Sequence, residues 1–275
     1  MNTPHSQHIA FIGGGNMASA ILGGLIRQGL PARQITVVEP FAQAAAKLRQ
    51  DFGVAVLPEA AAALAQAQLV VWAVKPQVFA EAAAPVAAHT QQALHLSVAA
   101  GIRTDSLRRW LHTERVVRSM PNTPALVGQG MTALFACPAV TAAEKAQVEQ
   151  VIATTGQFLW VAQESQLDAV TALSGSGPAY VFFFLEAMTA AGVGMGLARE
   201  QAYRLAVATF SGAASLAAAS SEPPEVLRQR VTSKGGTTYA AITHMENAGI
   251  KAAFVAAMEA AERRARELGD EFGKA

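Results

Sequence analysis

The stretch His8-Ile-Ala-Phe-Ile-Gly-Gly-Gly-Asn-Met-Ala18 decides the fold of this chain, because it joins a short apolar run to three glycines and an alanine-rich helical pattern. Gly13, Gly15 and Ala18 fit the G-x-G-x-x-A spacing, in which the glycines make a tight turn open to a pyrophosphate and the alanine permits close packing. The free N–H groups of a helix N-terminus favour that anion. A plain glycine turn is the alternative, but the strand before it and the helix after it favour dinucleotide binding. The candidate contacts are Gly13, Gly14, Gly15, Asn16, Met17 and Ala18.

The next predicted strand, Ile35 to Glu39, ends on an acidic residue. In dinucleotide-binding domains an acidic side chain about 20 residues beyond the glycine motif binds the adenosine ribose hydroxyls. A carboxylate at this place repels a 2′-phosphate, and no arginine follows immediately, so NADH is chemically the easier partner. NADPH and NADH both stay candidates. A Glu39 that caps the following helix or faces solvent is the alternative.

A second candidate contact with the cofactor follows the predicted strand Leu69 to Ala73. Ligands of open α/β sheets collect at the carboxyl ends of strands, where Lys75 could meet phosphate or ribose while Pro76 fixes the turn. The predicted contacts are Ala73, Val74, Lys75 and Pro76, and an ordinary strand exit is the alternative.

Short apolar runs alternate with helical stretches from His8 to about Val161, which predicts βαβ units and a mostly parallel sheet. From Gln166 onward long helical patterns rich in Ala, Phe and Met take over, with more apolar surface than they can hide alone. We therefore predict an α/β Rossmann-like dinucleotide-binding domain over residues 1–163, followed by an all-helical dimerisation and substrate domain over residues 164–275. The predicted strands are His8 to Ile12, Ile35 to Glu39, Leu69 to Ala73, Leu94 to Val98, Val116 to Ser119, Met131 to Phe135 and Phe158 to Val161. The predicted helices of the first domain include Asn16 to Gln28, Phe41 to Phe52 and Ala142 to Thr154.

Composition narrows the class of protein. A formal net charge of +1 without long charged runs lacks the footprint of a nucleic-acid binder. The longest strongly apolar run, Ala179 to Leu185, stops at Glu186, well short of the roughly 20 residues that span a bilayer. The polar start, Met1 to Gln7, lacks the basic region of a secretory signal, and a single cysteine suits a reducing compartment. We expect a cytoplasmic protein that binds neither membrane nor nucleic acid.

Four further blocks carry a family resemblance: Ser97-Val-Ala-Ala-Gly101, Met120-Pro-Asn-Thr-Pro124, Leu173-Ser-Gly-Ser-Gly-Pro-Ala-Tyr180 and Val231-Thr-Ser-Lys-Gly-Gly-Thr-Thr238. With the glycine loop they make the chain resemble pyrroline-5-carboxylate reductases from about residue 8 to residue 268. The resemblance implies hydride transfer from NADPH or NADH to the imine carbon of L-1-pyrroline-5-carboxylate, which gives L-proline in the last step of proline biosynthesis. It also implies a homodimer built through the C-terminal helices and, in some members, a ring of dimers.

The resemblance assigns roles to residues in two of these blocks. It implies that Asn122, Thr123 and Pro124 border the nicotinamide. It implies that the substrate is held by Ser233, Gly235, Gly236, Thr237 and Thr238. Two residues depart from the family pattern: Lys234 stands where many members have proline, and Glu39 stands where members that prefer NADPH usually have small polar residues.

The loop before Thr238 suits the chemistry of a cyclic imine acid. A glycine-rich loop that opens a helix offers unpaired backbone N–H groups to a carboxylate. Solvent can protonate the imine before binding, so neither a strong general acid nor a metal or nucleophile is predicted. Thr238 is the first candidate to guide the proton and Ser176 the second. A glycine turn with a capping Thr238, and a Ser176 that merely starts a helix, are the alternatives.

Other functions fit the sequence less well. A hydroxyacid dehydrogenase of similar build needs a general base, for which the helical half offers only Lys234, His244, Lys251 and Lys274. The G-x-S-x-G motif of a hydrolase is not met around Ser176. A non-catalytic NAD(P)-binding protein would show damage to the 233–238 loop, which instead is intact.

Overall fold

The computed structural model describes residues 8–273. Two parts of the sequence analysis lie outside them: the polar start, Met1 to Gln7, and the candidate base Lys274. The chain forms two compact units. One contains the residues up to Ser176 together with those from Ala261 onward, and the other contains Gly177–Ala260. The predicted fold class, an α/β Rossmann-like part followed by a helical part, is confirmed, while the boundary between residues 163 and 164 stays a prediction.

The first unit is built on a sheet whose spatial order is β3-β2-β1-β4-β5-β6-β7-β8. Residues 8–273 contribute these strands: β1 (Ile9–Ile12), β2 (Ile35–Val38), β3 (Ala55–Leu57), β4 (Leu69–Trp72), β5 (Leu94–Ser97), β6 (Val116–Met120), β7 (Gly130–Ala136) and β8 (Gly156–Trp160). Every residue of β1, β2, β4 and β5 is buried. Burial of every residue is typical of parallel strands with helices on both faces of the sheet.

The strands from β3 to β6 in this order are parallel, so their carboxyl ends share one edge. β7 runs antiparallel to β6 and parallel to β8. The strand order reverses between β1 and β4, the place where ligands of doubly wound sheets bind. β3 was not predicted, since only one of its three residues is buried.

Helices cover the sheet and build the second unit. In the first unit they are α1 (Asn16–Arg27), α2 (Ala42–Phe52), α3 (Phe79–Ala87), α4 (Thr104–Leu111), α5 (Ala142–Ile152) and α6 (Gln166–Val170). They continue with α7 (Gly177–Gly194), α8 (Arg199–Ala219), α9 (Pro224–Arg230), α10 (Thr237–Asn247) and α11 (Ile250–Phe272). No helix within residues 8–273 combines the length and the apolar character needed to cross a membrane.

The helices of the second unit expose large apolar side chains, among them Phe182 and Phe183 on α7 and Leu216 on α8. Such a density of exposed apolar groups is unfavourable in water unless another protein surface covers it. The predicted need for a partner subunit therefore has a structural basis in these helices.

The end of α11 belongs to the first unit. Arg103 makes an ion pair of 2.9 Å with Asp270, and Arg109 donates to the carbonyl oxygen of Gly273 at 3.0 Å. The ring of Phe272 lies against Gly101, where an added Cβ would be 3.0 Å from the ring. The last turns of α11 are thus fixed on the loop that follows β5 and on α4.

His95 on β5 is buried in the sheet beside Trp72 of β4. The indole Nε1 of Trp72 donates to His95 Nδ1 at 2.9 Å, and His95 Nε2 lies 3.2 Å from the carbonyl oxygen of Thr90. Because Nδ1 accepts a hydrogen bond, the proton of the neutral ring is on Nε2. Burial lowers the pKa of His95 from its ordinary value of 6.5 to about 4.

We expect His95 to make the protein less stable in mild acid. The unfolded chain binds this proton more readily than the folded one. The contribution of neutral His95 to the free energy of unfolding is therefore fully present above the pKa of the unfolded state, and it is lost as the pH falls toward the pKa of the folded state. Between pH 7 and pH 5 the loss from this one group is about 2 kcal/mol. Urea unfolding of wild type and His95→Gln at fixed protein concentration measures it. If the two proteins lose the same free energy between these pH values, His95 is not the group responsible.

Candidate functional site

The glycine loop follows β1 and lies against the exits of both neighbouring strands. Gly13 has φ +89°, a left-handed conformation that glycine adopts at low cost. Its N–H donates to the carbonyl oxygen of Val38 at 2.9 Å. A Cβ on Gly13 would lie 2.8 Å from the carbonyl oxygen of Ala73, which is too close for any side chain. Both the turn and the packing therefore require glycine at this position.

The N-terminus of α1 is open to a ligand. Gly15 caps the helix without any side-chain hydrogen bond, and an added Cβ would meet no atom within 4 Å. Asn16 and Met17 form the first turn, and Ala18 is 0% exposed, as its predicted packing role requires. Uncapped N–H groups beside open space fit the pyrophosphate of a dinucleotide.

Glu39 directly follows β2 and is only 7% exposed. Its Oε2 accepts a hydrogen bond from the N–H of Gly14 at 2.9 Å, and its Oε1 accepts one from the N–H of Phe41 at 3.0 Å. The second bond reaches Phe41, the residue before α2, and that helix has no side-chain cap. Glu39 therefore neither caps α2 nor faces solvent, the two alternatives that the sequence left open. The first bond holds the carboxylate against the glycine loop, which sequence reasoning did not foresee.

The turn after β4 lies at the same edge. Ala73 donates its N–H to the carbonyl oxygen of Ile12 at 2.8 Å, which ties the turn to the end of β1. Lys75 is exposed and precedes a short 3-10 helix that begins at Pro76. The turn thus places the side chain of Lys75, with its ammonium group, at the edge of the sheet where the glycine loop lies. The contacts of residues 73–76 with a cofactor stay predictions.

Asn122 follows β6, and both the oxygen and the nitrogen of its side-chain amide form hydrogen bonds to the backbone. Its Oδ1 accepts from the N–H of Met131 at 2.9 Å, and its Nδ2 donates to the carbonyl oxygen of Ser174 at 3.2 Å. Thr123 and Pro124 begin the 3-10 turn beyond it, and Thr123 is exposed. The structure therefore gives Asn122 a bridging role, while Thr123 faces solvent at this edge.

The bridge from Asn122 reaches a π-helical turn, Thr171–Gly175, that sequence reasoning missed. Ser176 ends it by donating its N–H to the carbonyl oxygen of Thr171 at 2.8 Å. An added Cβ on Gly175 would lie 2.4 Å from the Cε of Met120, so the turn packs directly on the end of β6. Single π-turns are frequent at functional sites. The fold thus places Ser176 close to the 120–124 segment.

A buried charge network beneath this edge was also missed. Arg118 on β6, 4% exposed, pairs with Glu164 at 2.9 Å and lies 3.8 Å from a carboxylate oxygen of Asp168. Glu164 also accepts from the N–H and the hydroxyl of Thr104 at 2.7 and 2.6 Å. The available signal was a basic residue in a strand, Val116–Met120, whose other residues are uncharged.

The predicted substrate loop lies in the second unit. Gly235 has φ +78°, and Gly236, whose N–H donates to the carbonyl oxygen of Ser233 at 3.0 Å, precedes α10 without any side-chain cap. The first-turn amides at Thr237 and Thr238 are therefore not consumed by a capping side chain. Uncapped amides in a glycine-rich turn can bind a small carboxylate.

Comparison with known proteins identifies the family. The chain is 46% identical to a pyrroline-5-carboxylate reductase of Pseudomonas aeruginosa over 278 aligned positions that cover 100% of both sequences. The chain belongs to the pyrroline-5-carboxylate reductase family. The family resemblance stated from the sequence blocks is confirmed.

Solved structures of the pyrroline-5-carboxylate reductase family share the fold. One from Coxiella burnetii has a TM-score of 0.90 at 36% identity and covers 96% of this chain and 99% of its own. One from Plasmodium falciparum with NADP bound has a TM-score of 0.85 at 26% identity, with 96% and 98% covered. The family model described as pyrroline-5-carboxylate reductase dimerisation matches residues 164–268, and the one described as NADP oxidoreductase, coenzyme F420-dependent, matches residues 8–101.

The part of the chain that the structure describes contains no evident set of metal ligands. Its His, Cys, Asp and Glu side chains form no group of three that could hold an ion. The thiol of Cys137 is buried, and desolvation raises its pKa, which disfavours the reactive thiolate.

Asn122→Ala tests the bridge in this reductase. We expect a loss of about 1 to 3 kcal/mol in the free energy of unfolding, because the Met131 N–H and the Ser174 carbonyl each lose a partly buried partner. Urea unfolding followed by circular dichroism measures the loss. Gln129→Ala, an exposed position in the same loop, is the control and should change stability by less than about 0.5 kcal/mol. Equal stability of the two variants would show that the Asn122 amide does not hold this edge together.

Proposed function

We propose that this protein is a pyrroline-5-carboxylate reductase, an oxidoreductase that converts L-1-pyrroline-5-carboxylate to L-proline in the last step of proline biosynthesis. The observation that carries the proposal is the uncapped Gly-Gly-Thr-Thr opening of α10, in a chain that aligns over its full length with a reductase of that name. Family membership favours this activity over the hydroxyacid dehydrogenase and over a non-catalytic NAD(P)-binding protein.

The loop before α10 recognises the substrate carboxylate. The amides of Thr237 and Thr238, together with that of Gly236, bind the anion, and the positive end of the helix dipole adds to the attraction. Gly235 supplies the left-handed turn, φ +78°, that aims these amides. Ser233 completes the loop by accepting the hydrogen bond from Gly236.

The carboxyl edge of the sheet holds the cofactor. Bound NADPH or NADH supplies the hydride, which passes from its nicotinamide ring to the imine carbon. The pyrophosphate binds to the glycine loop and the start of α1, which are formed by Gly13, Gly14, Gly15, Asn16, Met17 and Ala18. Glu39 and residues 73–76 complete the nucleotide-binding site. Thr123 and Pro124 border the nicotinamide, and Asn122 positions them.

Protonation of the substrate imine requires little catalysis by the protein. An imine protonated in solution is already activated for hydride, so the main contribution is to hold the reacting atoms about 3 to 3.5 Å apart in a site shielded from water. The hydroxyl of Thr238 hydrogen-bonds the ring nitrogen, and Ser176 is the second candidate. This reaction requires no nucleophile and no metal.

Assembly, location and domain division complete the proposal. The exposed apolar side chains of α7 and α8 support a homodimer built through the second unit, which could assemble further into a ring of dimers. The match of the dimerisation model from residue 164 supports a division into residues 1–163 and 164–275. The proposed location is the cytoplasm.

The activity is tested by mixing purified protein with L-1-pyrroline-5-carboxylate and either NADH or NADPH. We expect imine-dependent loss of the absorbance of the reduced nicotinamide, and formation of proline in equal amount. Omission of the imine is the control. If neither cofactor is oxidised by the substrate, the proposed function is wrong.

Thr238→Ala tests the proton-guiding residue. Loss of one hydrogen bond to the reacting nitrogen should lower transition-state binding by about 1 to 3 kcal/mol, measured as a fall in kcat/KM. Thr238→Ser, which keeps the hydroxyl, is the matched variant and should retain most of the activity. Equal activity of the alanine and serine variants would remove the hydroxyl from its proposed role.

A further inference from the structure

We propose that this enzyme selects NADH over NADPH and that Glu39 sets the choice. The inference rests on the proposed function and deepens it, since the family membership leaves both cofactors open. It is argued from how the Glu39 carboxylate is held and from the charges on the loops around it.

The carboxylate of Glu39 is fixed in place. One oxygen accepts the Gly14 N–H at 2.9 Å and the other accepts the Phe41 N–H at 3.0 Å, so the side chain cannot leave without breaking two hydrogen bonds. An ionised carboxylate has about four acceptor sites, and two remain after these bonds. The two vicinal hydroxyls of an adenosine ribose are donors that match those two remaining sites.

The same position of the Glu39 carboxylate disfavours the binding of NADPH. A phosphate monoester carries about −1.5 to −2 charges at pH 7. At the 2′ position it would stand where a ribose hydroxyl meets the carboxylate, and the Glu39 charge, 7% exposed, is poorly screened by solvent. Juxtaposing like charges in a binding site costs several kcal/mol.

No cation on the neighbouring loops offsets this repulsion. The loops after β1, β2 and β3, which are residues 13–15, 39–41 and 58–61, contain Glu39 and Glu59 and no Lys, Arg or His. Further along, Lys47 on α2 pairs with Asp51, and Arg49 donates to the carbonyl oxygen of Val56 at 2.8 Å. These three loops thus carry acidic side chains only, which suits a free ribose diol and disfavours a phosphate. Lys75 is exposed on the loop after β4, which β1 separates from β2 in the sheet.

The proposal separates this chain from one of its relatives. The Plasmodium falciparum reductase, 26% identical, was solved with NADP bound. The proposal thus assigns to this chain a choice different from the cofactor in that structure, and assigns the choice to the residue after β2.

The first test uses the wild-type protein and needs no imine. Calorimetry measures the affinity for ADP-ribose and for its 2′-phosphorylated form, which differ only in the group that Glu39 is proposed to exclude. We expect ADP-ribose to bind at least about tenfold more tightly. Equal affinity, tighter binding of the phosphorylated form, or no binding of either overturns the proposal. Because no hydride is transferred, this result is independent of whether pyrroline-5-carboxylate is the substrate.

The second test assigns the selectivity to Glu39. Glu39→Gln removes one negative charge at nearly constant volume, and Glu81→Gln removes one from an exposed position on α3 as the matched control. We expect the affinity ratio of the two nucleotides to fall about tenfold or more in Glu39→Gln and to stay at the wild-type value in Glu81→Gln. Far-UV circular dichroism checks that the variants are folded. A folded Glu39→Gln protein with the wild-type ratio would show that another residue makes the choice, and the wild-type comparison still decides the cofactor if the variant does not fold.

Discussion

The close approach of the glycine loop to the exits of β2 and β4 is the constraint on which the nucleotide edge depends. Gly13 donates to Val38 on one side and touches the carbonyl of Ala73 on the other, so any side chain there would push apart neighbouring strands of one sheet. Because the loop is held from both sides, the amides that open α1 are fixed before any ligand arrives. Fixed donors lose little conformational freedom on binding, and this is the physical basis of a preorganised anion site.

Much of the first unit could be predicted because its strands are short, apolar and bounded by turns. The glycine motif and the strands β1, β2 and β4 followed from local pattern alone, although β2 and β4 each end one residue before the predicted end. β3 was missed because Ala55 is exposed and Leu57 is only partly buried, so the segment shows no apolar run. The antiparallel pairing of β6 with β7 is invisible locally, since the direction of pairing is set by how the chain returns to the sheet.

For the candidate site, the sequence predicted where the residues lie along the strands better than it predicted which atoms their side chains contact. The sequence placed Glu39 and Asn122 at strand ends, but the partners of their side chains lie at Gly14, Met131 and Ser174, whose proximity exists only in the folded chain. The ion pair of Arg118 with Glu164 joins residues 46 positions apart, and no periodicity predicts it. The roles in catalysis and substrate binding rest on family resemblance and on the uncapped start of α10, and they stay predictions.

The return of α11 to the first unit has a consequence for biosynthesis. Arg103 is made early in translation, whereas its partner Asp270 lies 167 residues later and within the last turn and a half of the helix. Proteins generally fold from the N-terminus as they leave the ribosome. Here the nucleotide-binding unit cannot gain its full set of native contacts until the intervening helical unit and the last turns of α11 have been synthesised. A ribosome stalled inside the helical unit would therefore display a nucleotide-binding unit that still lacks its closing segment.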